Sequence, residues 1–531
     1  MKKLMCAALC CAISMAAFAA GTKEAAGETT KASAAPSTSG KLFDKEITLK
    51  VMRYEHPSQP IKVDSAVIRE IFNKTNVRLE IEAVPQANYE DKKKILIATN
   101  NIPDIILVNR QNLSDFGTSG IFLPLKEYIR KSAPNFSAIM ATESEIKKLS
   151  VNNELYGFPT MMRYGEVVGF GPVIRKDLLK KHNLAVPGSF TELYTVLKKL
   201  KELYPQSYPM TARLGTKYML STLAYPMGSG FALSQNMGSQ FGLYFDKDAG
   251  NKYIYGPGTE EFKNVITTLN MLFKEGILDP DYAVNTAQQW SEKLTSGRSF
   301  FFYDNSSFSI SFTDNLRKAT PDAELGVIPI MKNSQGIRRN FFYAMHWWDD
   351  LYAISSKTKD PAAVVKFMDY MYSTEGADIA NFGILGEHYT KDNGEYKVLP
   401  SVIEKYASAT SPLYAMYSDL GTGLLSFCPY EDERPKYQQN PVNVSLMKAV
   451  NADPGMVRPV LDPPFTNEEN ARIRELRNKV ENTFNMEIDK FIMGAKPMSE
   501  YNAFAQKVRE QGGDELASIY NAALERFNKS N

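Results

Sequence analysis

Apolar and polar residues alternate along positions 47–54 (ITLKVMRY) and again along 77–84 (VRLEIEAV), the two-residue period of strands with one covered face. Between them Val67, Ile68, Ile71 and Phe72 recur at helical spacing within 65–73 (SAVIREIFN). A break at Pro103-Asp104 then precedes a short, wholly apolar run at 105–108, which reads as a buried strand. This strand-helix-strand rhythm predicts a mostly parallel sheet with helices on both faces, an α/β class. A helix is expected at 176–183 and a longer one at 191–203, with Leu193, Val196, Leu197 and Leu200 on one side. The C-terminal part reads as helical. Thr466 and Glu469 form a capping box ahead of Ile473, Leu476, Val480, Phe484 and Ile488, and Asp514 opens a last helix presenting Leu516, Ile519, Tyr520, Ala523 and Phe527.

The N-terminus follows another pattern. Met1, Lys2 and Lys3 precede an apolar run at 4–18 that closes on Ala17-Phe18-Ala19, the charge, core and small-x-small site of an export signal. A spanning helix needs about 20 apolar residues, so this run is too short for one. Residues 20–42, rich in Gly, Ala, Ser and Thr, bury nothing and are expected to form a solvated tether. Signal at 1–19 and tether together predict an exported protein, periplasmic or otherwise extracytoplasmic. Cys6, Cys10 and Cys11 fall inside the signal, leaving Cys428 as the lone thiol of the mature chain, expected in the core and unable to form an internal disulfide. Ala7-Ala8-Leu9-Cys10 matches a lipid-acceptor site, but only a few apolar residues precede it. A cleaved, soluble protein is the reading taken, with membrane association if Cys10 or Cys11 is lipidated.

About 490 residues follow the tether, enough for two large cores. A formal charge of +2, with no basic stripe, gives no handle for nucleic acid. The 28 Tyr, 29 Phe and 3 Trp change the picture more: Phe suits a core, whereas Tyr and Trp set among polar residues suit flat ligand surfaces. Catalytic signatures are missing. The four His are far apart without metal-binding spacing, and no nucleophile elbow, phosphate loop or dinucleotide turn is present. A glycosidase carboxylate pair leaves no local signature, so a secreted polysaccharide-degrading enzyme stays open beside a binding protein.

Several segments resemble, in order, the large family 1 extracellular solute-binding proteins of ABC-type sugar importers. They are IFNKTNVRLEIEAVP, NNIPDIILVN, LPLKEYIRKSAPNF, NNELYGFP and VIRKDLLKKHNLAVPGSFTELYTVLKKLKE, then LGVIPIMKN, LYAISSKTKDPAAVVKFMDYMYSTEGADIANFGILGEHY and FIMGAKPMSEYNAFAQKVREQGGDELASIYNAALERF. The resemblance runs from about residue 45 to the end. It implies a two-lobed hinged clamp, one lobe from 43–167 and 332–390 and the other from 168–331 and 391–531, with crossings near 164–171, near Pro329 and after Tyr389. It further implies an oligosaccharide ligand, an ABC permease as membrane partner, a monomer, no enzymatic activity and no cofactor. A peptide-binding receptor on the same fold is a further alternative. Many such relatives carry a calcium loop after the helix at 191–203; here 203–209 (LYPQSYP) has no carboxylate, so no metal is expected there.

Ligands of open α/β sheets sit beyond the carboxyl ends of the strands. That rule selects Tyr54 and Glu55 after the first strand, and Asn109 and Arg110 after the strand at 105. Sugars need aromatic faces and planar hydrogen-bonding groups, which adds Arg163, Tyr164, Trp290, Asp304, Trp347, Trp348 and Asp349. His56 reads as a loop residue. The arginines at 53, 110, 163 and 213 lean toward an acidic sugar such as a uronate oligomer, though Arg serves neutral sugars too.

Overall fold

A computed structural model describes residues 40–55, 60–160, 170–231, 241–306, 308–341, 350–393, 395–407, 412–422, 452–453, 455–457 and 460–530. The signal, most of the tether, His56 and Cys428 lie outside them.

The first lobe is built on strands β1 (Ile47–Glu55), β2 (Val77–Pro85), β3 (Ile105–Asn109) and β4 (Phe158–Pro159), joined by a strand from much later in the chain. β1 lies between β2 and β3 and runs parallel to both. β3 is covered on both faces, which explains its unbroken apolar run. The intervening helix Ala66–Thr75 starts where the Ser65 hydroxyl accepts the Ile68 N–H, and stops at Asn76, whose φ of 60° is left-handed. Its buried Val67, Ile68 and Ile71 join the β1 and β3 side chains in one core.

In the second lobe β5 (Phe170–Arg175) lies between β8 (Phe301–Asn305) and β9 (Leu325–Val327), with a separate hairpin of β6 (Leu243–Asp246) and β7 (Lys252–Tyr255). The helix Phe190–Leu203, capped by Ser189, buries the predicted Leu193, Val196, Leu197 and Leu200. In the turn that follows, the Lys201 ammonium donates to the carbonyls of Pro205 (2.9 Å) and Ser207 (2.7 Å). The helix Asn467–Met493 carries the predicted capping box and buries Ile473, Leu476, Val480, Phe484 and Ile488 in the second core. Each such side chain contributes about 1.5–3 kcal/mol.

The first sheet is mostly parallel, as expected, apart from one reversed strand, whereas the three-stranded sheet of the second lobe is antiparallel. β5 is antiparallel to both neighbours, and so is β11 (Asp350–Ile354), which completes the first sheet between β3 and β4. The cause is where these strands come from. Each is the first long strand after a passage between lobes, so it enters its sheet at the end facing the other lobe and runs away from it. Asp350 accordingly pairs with Asn109, and Phe170 with Asn305.

Ile328 and Met331 pack in the second core, and β10 (Asn340–Phe341) contacts that lobe through the Asn340 amide on the Phe170 carbonyl. Residues 412–422, expected in the second lobe, contact the first, and 400–406 pack against them. Ser418 donates to the Pro60 carbonyl and Lys62 pairs with Asp419 at 2.6 Å. The last passage described is a short strap at 460–465. Leu461 packs on the first core and Phe465 on the second, its ring 4.6 Å from that of Tyr520.

Candidate functional site

β1 and β3 end, and β11 begins, at one edge of the first lobe; β8 ends and β5 begins at one edge of the second. β4 and β5 are separated by only ten residues, so the chain passes directly from the first of these edges to the second. Strand ends facing each other across a crevice are where an α/β protein holds a ligand.

On the first lobe the edge is an aromatic and cationic wall. The half-buried Tyr54 meets Tyr89 edge-on at 5.8 Å, and the Tyr89 hydroxyl is anchored to the Leu107 carbonyl at 2.6 Å. Arg53 donates to the Tyr54 carbonyl (3.1 Å) and to the Tyr352 hydroxyl (3.3 Å), its guanidinium 5.4 Å from the Tyr54 ring. Burial first, then the Asp350 carboxylate, raise the Tyr54 phenol above its ordinary pKa, and burial does the same for Tyr352. These hydroxyls therefore stay neutral and able to donate. Glu55 accepts the Ile61 N–H at 3.0 Å.

Asn109 and Arg110 have other duties. Asn109 caps the helix Arg110–Phe116 in a reciprocal box with Asn112. Arg110 donates to the carbonyls of Lys148 (3.0 Å), Asp462 (2.6 Å) and Pro463 (3.3 Å), tying the strap to the first lobe.

On the second lobe Asp304, at the end of β8, receives both prongs of Arg213 at 2.7 and 2.9 Å. Tyr218 donates to the same carboxylate at 3.1 Å and accepts from Arg213 at 3.0 Å. Burial alone would lower the Arg213 pKa; the Asp304 bonds and charge more than offset that and raise it. The guanidinium lies 4.8 Å from the Trp290 ring and 4.9 Å from that of Phe308. Trp290 itself is only 1% exposed, enclosed by Phe302, Phe308 and Phe312. It presents no face to the crevice and instead supports Arg213 from behind. The fully committed Arg339 lies nearby, donating to Asp246, Asp248 and the Tyr225 carbonyl, with its guanidinium 4.5 Å from the Tyr225 ring.

Of the sequence candidates, Tyr54, Glu55, Asn109 and Arg110 thus share one edge, while Trp290 and Asp304 share the other. Arg163, Tyr164, Trp347, Trp348 and Asp349, together with His346, lie outside the described residues. Sequence reasoning missed Tyr89, Tyr218 and Tyr352. Tyr352 alternates within an apolar strand and offered no local signal; only its register against Leu107 brings it to Arg53. Among the described residues no cluster of three or more His, Cys, Asp or Glu could hold a metal.

The sequence profile of a bacterial extracellular solute-binding protein family matches residues 58–378. The chain is 26% identical over 384 residues to the polygalacturonan/rhamnogalacturonan-binding protein YtcQ of Bacillus subtilis (strain 168), covering 70% of this chain and 73% of that protein. Among solved structures it matches the alginate-binding protein AlgQ2, solved without calcium ion, with a TM-score of 0.68, 23% identity, and coverage of 92% of this chain and 99% of that one. It also matches an HMO-binding, ABC-transporter-associated solute-binding protein from Bifidobacterium longum infantis ATCC 15697, with a TM-score of 0.74, 18% identity, and coverage of 90% and 98%.

Proposed function

Because the chain belongs to the bacterial extracellular solute-binding protein family, we propose that it captures an oligosaccharide between its lobes and delivers it to an ABC-type importer. One observation carries the reading: each lobe brings aromatic and planar hydrogen-bonding groups to the edge that faces the other. Tyr54 and Arg53, backed by the buried Tyr352, form one such set, and Arg213, held by the buried Asp304 and Tyr218, the other. An aromatic face packs on the C–H side of a pyranose, and a guanidinium bonds paired oxygens. A ligand touching both edges favours the closed arrangement over the open one by the difference in its contacts. The ligand leaves chemically unchanged, since Asp304 is held as the partner of Arg213 and Glu55 is bound to a loop N–H.

Within oligosaccharides the reading favours acidic ones. YtcQ is named for polygalacturonan and rhamnogalacturonan and AlgQ2 for alginate, and Arg53 stands at the first edge. Among the described residues no helix is long and apolar enough to cross a membrane, so the importer's membrane subunits are separate partners on this reading.

Calorimetry with oligogalacturonates, oligoalginates, neutral oligosaccharides and peptides tests the assignment, with chromatography of the recovered sugar. Saturable binding of the acidic sugars, with the sugar recovered intact, is expected. New reducing ends would make the protein an enzyme, and binding of peptides alone would move it to the receptor class.

A further inference from the structure

A second cavity, of about 780 Å³, opens on the flank of the lobe junction. None of the strand-end residues lines it. One wall is first-lobe, from the helices Lys126–Ser132 and Pro134–Thr142 and the segment 147–155. The opposite wall is the strap at Pro464–Thr466 and the end of the final helix, Asp514–Ser530. The size suits a small organic molecule.

Its chemistry is specific. Met140, Leu155, Phe465 and Phe527 give it an apolar lining. Four cations reach it against a single carboxylate, that of Glu127. Arg130 is matched by Glu127 at 2.7 Å, and Arg526 by Glu469 at 2.7 Å. Lys126 and Lys147 form no ion pair among the described residues; the Lys126 ammonium reaches only the Asn153 carbonyl, at 3.4 Å. An apolar chamber with more cations than carboxylates in its lining, two of them lysines outside any ion pair, fits an amphipathic anion and suits a neutral sugar poorly.

We propose that this cavity is a second ligand site, for a small anion with an aliphatic or aromatic body, and that its occupancy is coupled to capture in the crevice. The coupling rests on the function proposed above; the site itself does not. It follows from the walls. They belong to different lobes, so an occupant bridging them has unequal affinity for two lobe arrangements, and linkage makes the effect reciprocal.

Two probes test this on the full chain, 8-anilinonaphthalene-1-sulfonate as a fluorescent anion and decanoate as its competitor. One saturable class of dye sites, displaced by decanoate, is expected. The double variant K126E/K147E should weaken dye binding about tenfold through charge alone. Met140→Trp, which fills the chamber, should abolish it. Dye binding indifferent to both variants, or never saturating, overturns the site. If Met140→Trp does not fold, the surface double variant decides alone. Coupling is read from oligogalacturonate affinity with and without saturating decanoate: a changed Kd is expected, and an unchanged one overturns the coupling. A chain that binds dye as described but no sugar refutes the crevice reading and leaves the cavity standing.

Discussion

At the scale of single residues, buried charge is handled by encirclement. The Asp279 carboxylate is 0% exposed and takes Nζ of Lys293 at 2.8 Å on both oxygens, with Thr211 and Asn285 each donating at 2.8 Å. Burial pushes its pKa up, and these donors more than reverse that, holding it below the ordinary aspartate value. Replacing Lys293 by Met leaves a buried carboxylate without its counter-charge, so a loss of about 3–5 kcal/mol is expected in denaturant unfolding. D279N/K293M should recover part of it. His388 has the opposite problem. Its ring is half-buried and Nδ1 accepts the Ile384 N–H at 2.9 Å, so burial lowers its pKa below the ordinary 6.5. The folded chain then binds fewer protons than the unfolded chain as pH falls through that value, and stability drops. Melting temperature should fall between about pH 7.5 and about pH 5.5, and His388→Asn, which keeps an acceptor but cannot titrate, should flatten the part due to this site.

Elements are held by their ends. The capping box of the helix Asn467–Met493 satisfies two N–H groups reciprocally, Thr466 on Glu469 and Glu469 on Thr466, at 3.2 and 2.8 Å. Glu469 also receives Arg526 from the final helix. Thr466→Ala should cost about 1 kcal/mol. Gly512, with φ of +130°, sits where the helix Tyr501–Val508 turns into the last one, and a Cβ there would meet the Leu476 side chain. Gly512→Ala combines forbidden backbone with that clash and should cost more than the cap, roughly 1 kcal/mol or above. Comparing the two variants by chemical denaturation checks the order.

Across the whole molecule the strap at 460–465 ties one lobe to the other. Arg110 grips its carbonyls from the first lobe, Lys148 donates to the Leu461 carbonyl, and Glu145 accepts the Leu461 N–H at 2.7 Å. From the second lobe Tyr253 donates to the same Leu461 carbonyl at 3.3 Å. Arg110→Ala removes a charged donor from three carbonyls, with an expected cost of about 1.5–3 kcal/mol. Because the strap joins the lobes, the variant should also change the small-angle scattering profile of the ligand-free protein. An unchanged profile would mean that the lobes are held elsewhere.

The sequence by itself determined the elements whose information is local. Period two marked β1 and β2, period 3.6 marked the helices 66–75 and 190–203, and Thr466 with Glu469 marked a helix start, because each pattern reports a nearby covered face or an unpaired N–H. It also placed Tyr54 correctly at a strand end. Tertiary structure alone decided the direction of β5 and β11, since an isolated strand pattern is the same read either way. It turned Arg110 from the crevice to the strap by placing three carbonyls from distant segments within reach of one guanidinium. It closed Trp290 behind Arg213, and it set 412–422 against the first lobe, because what a side chain touches depends on segments hundreds of residues away.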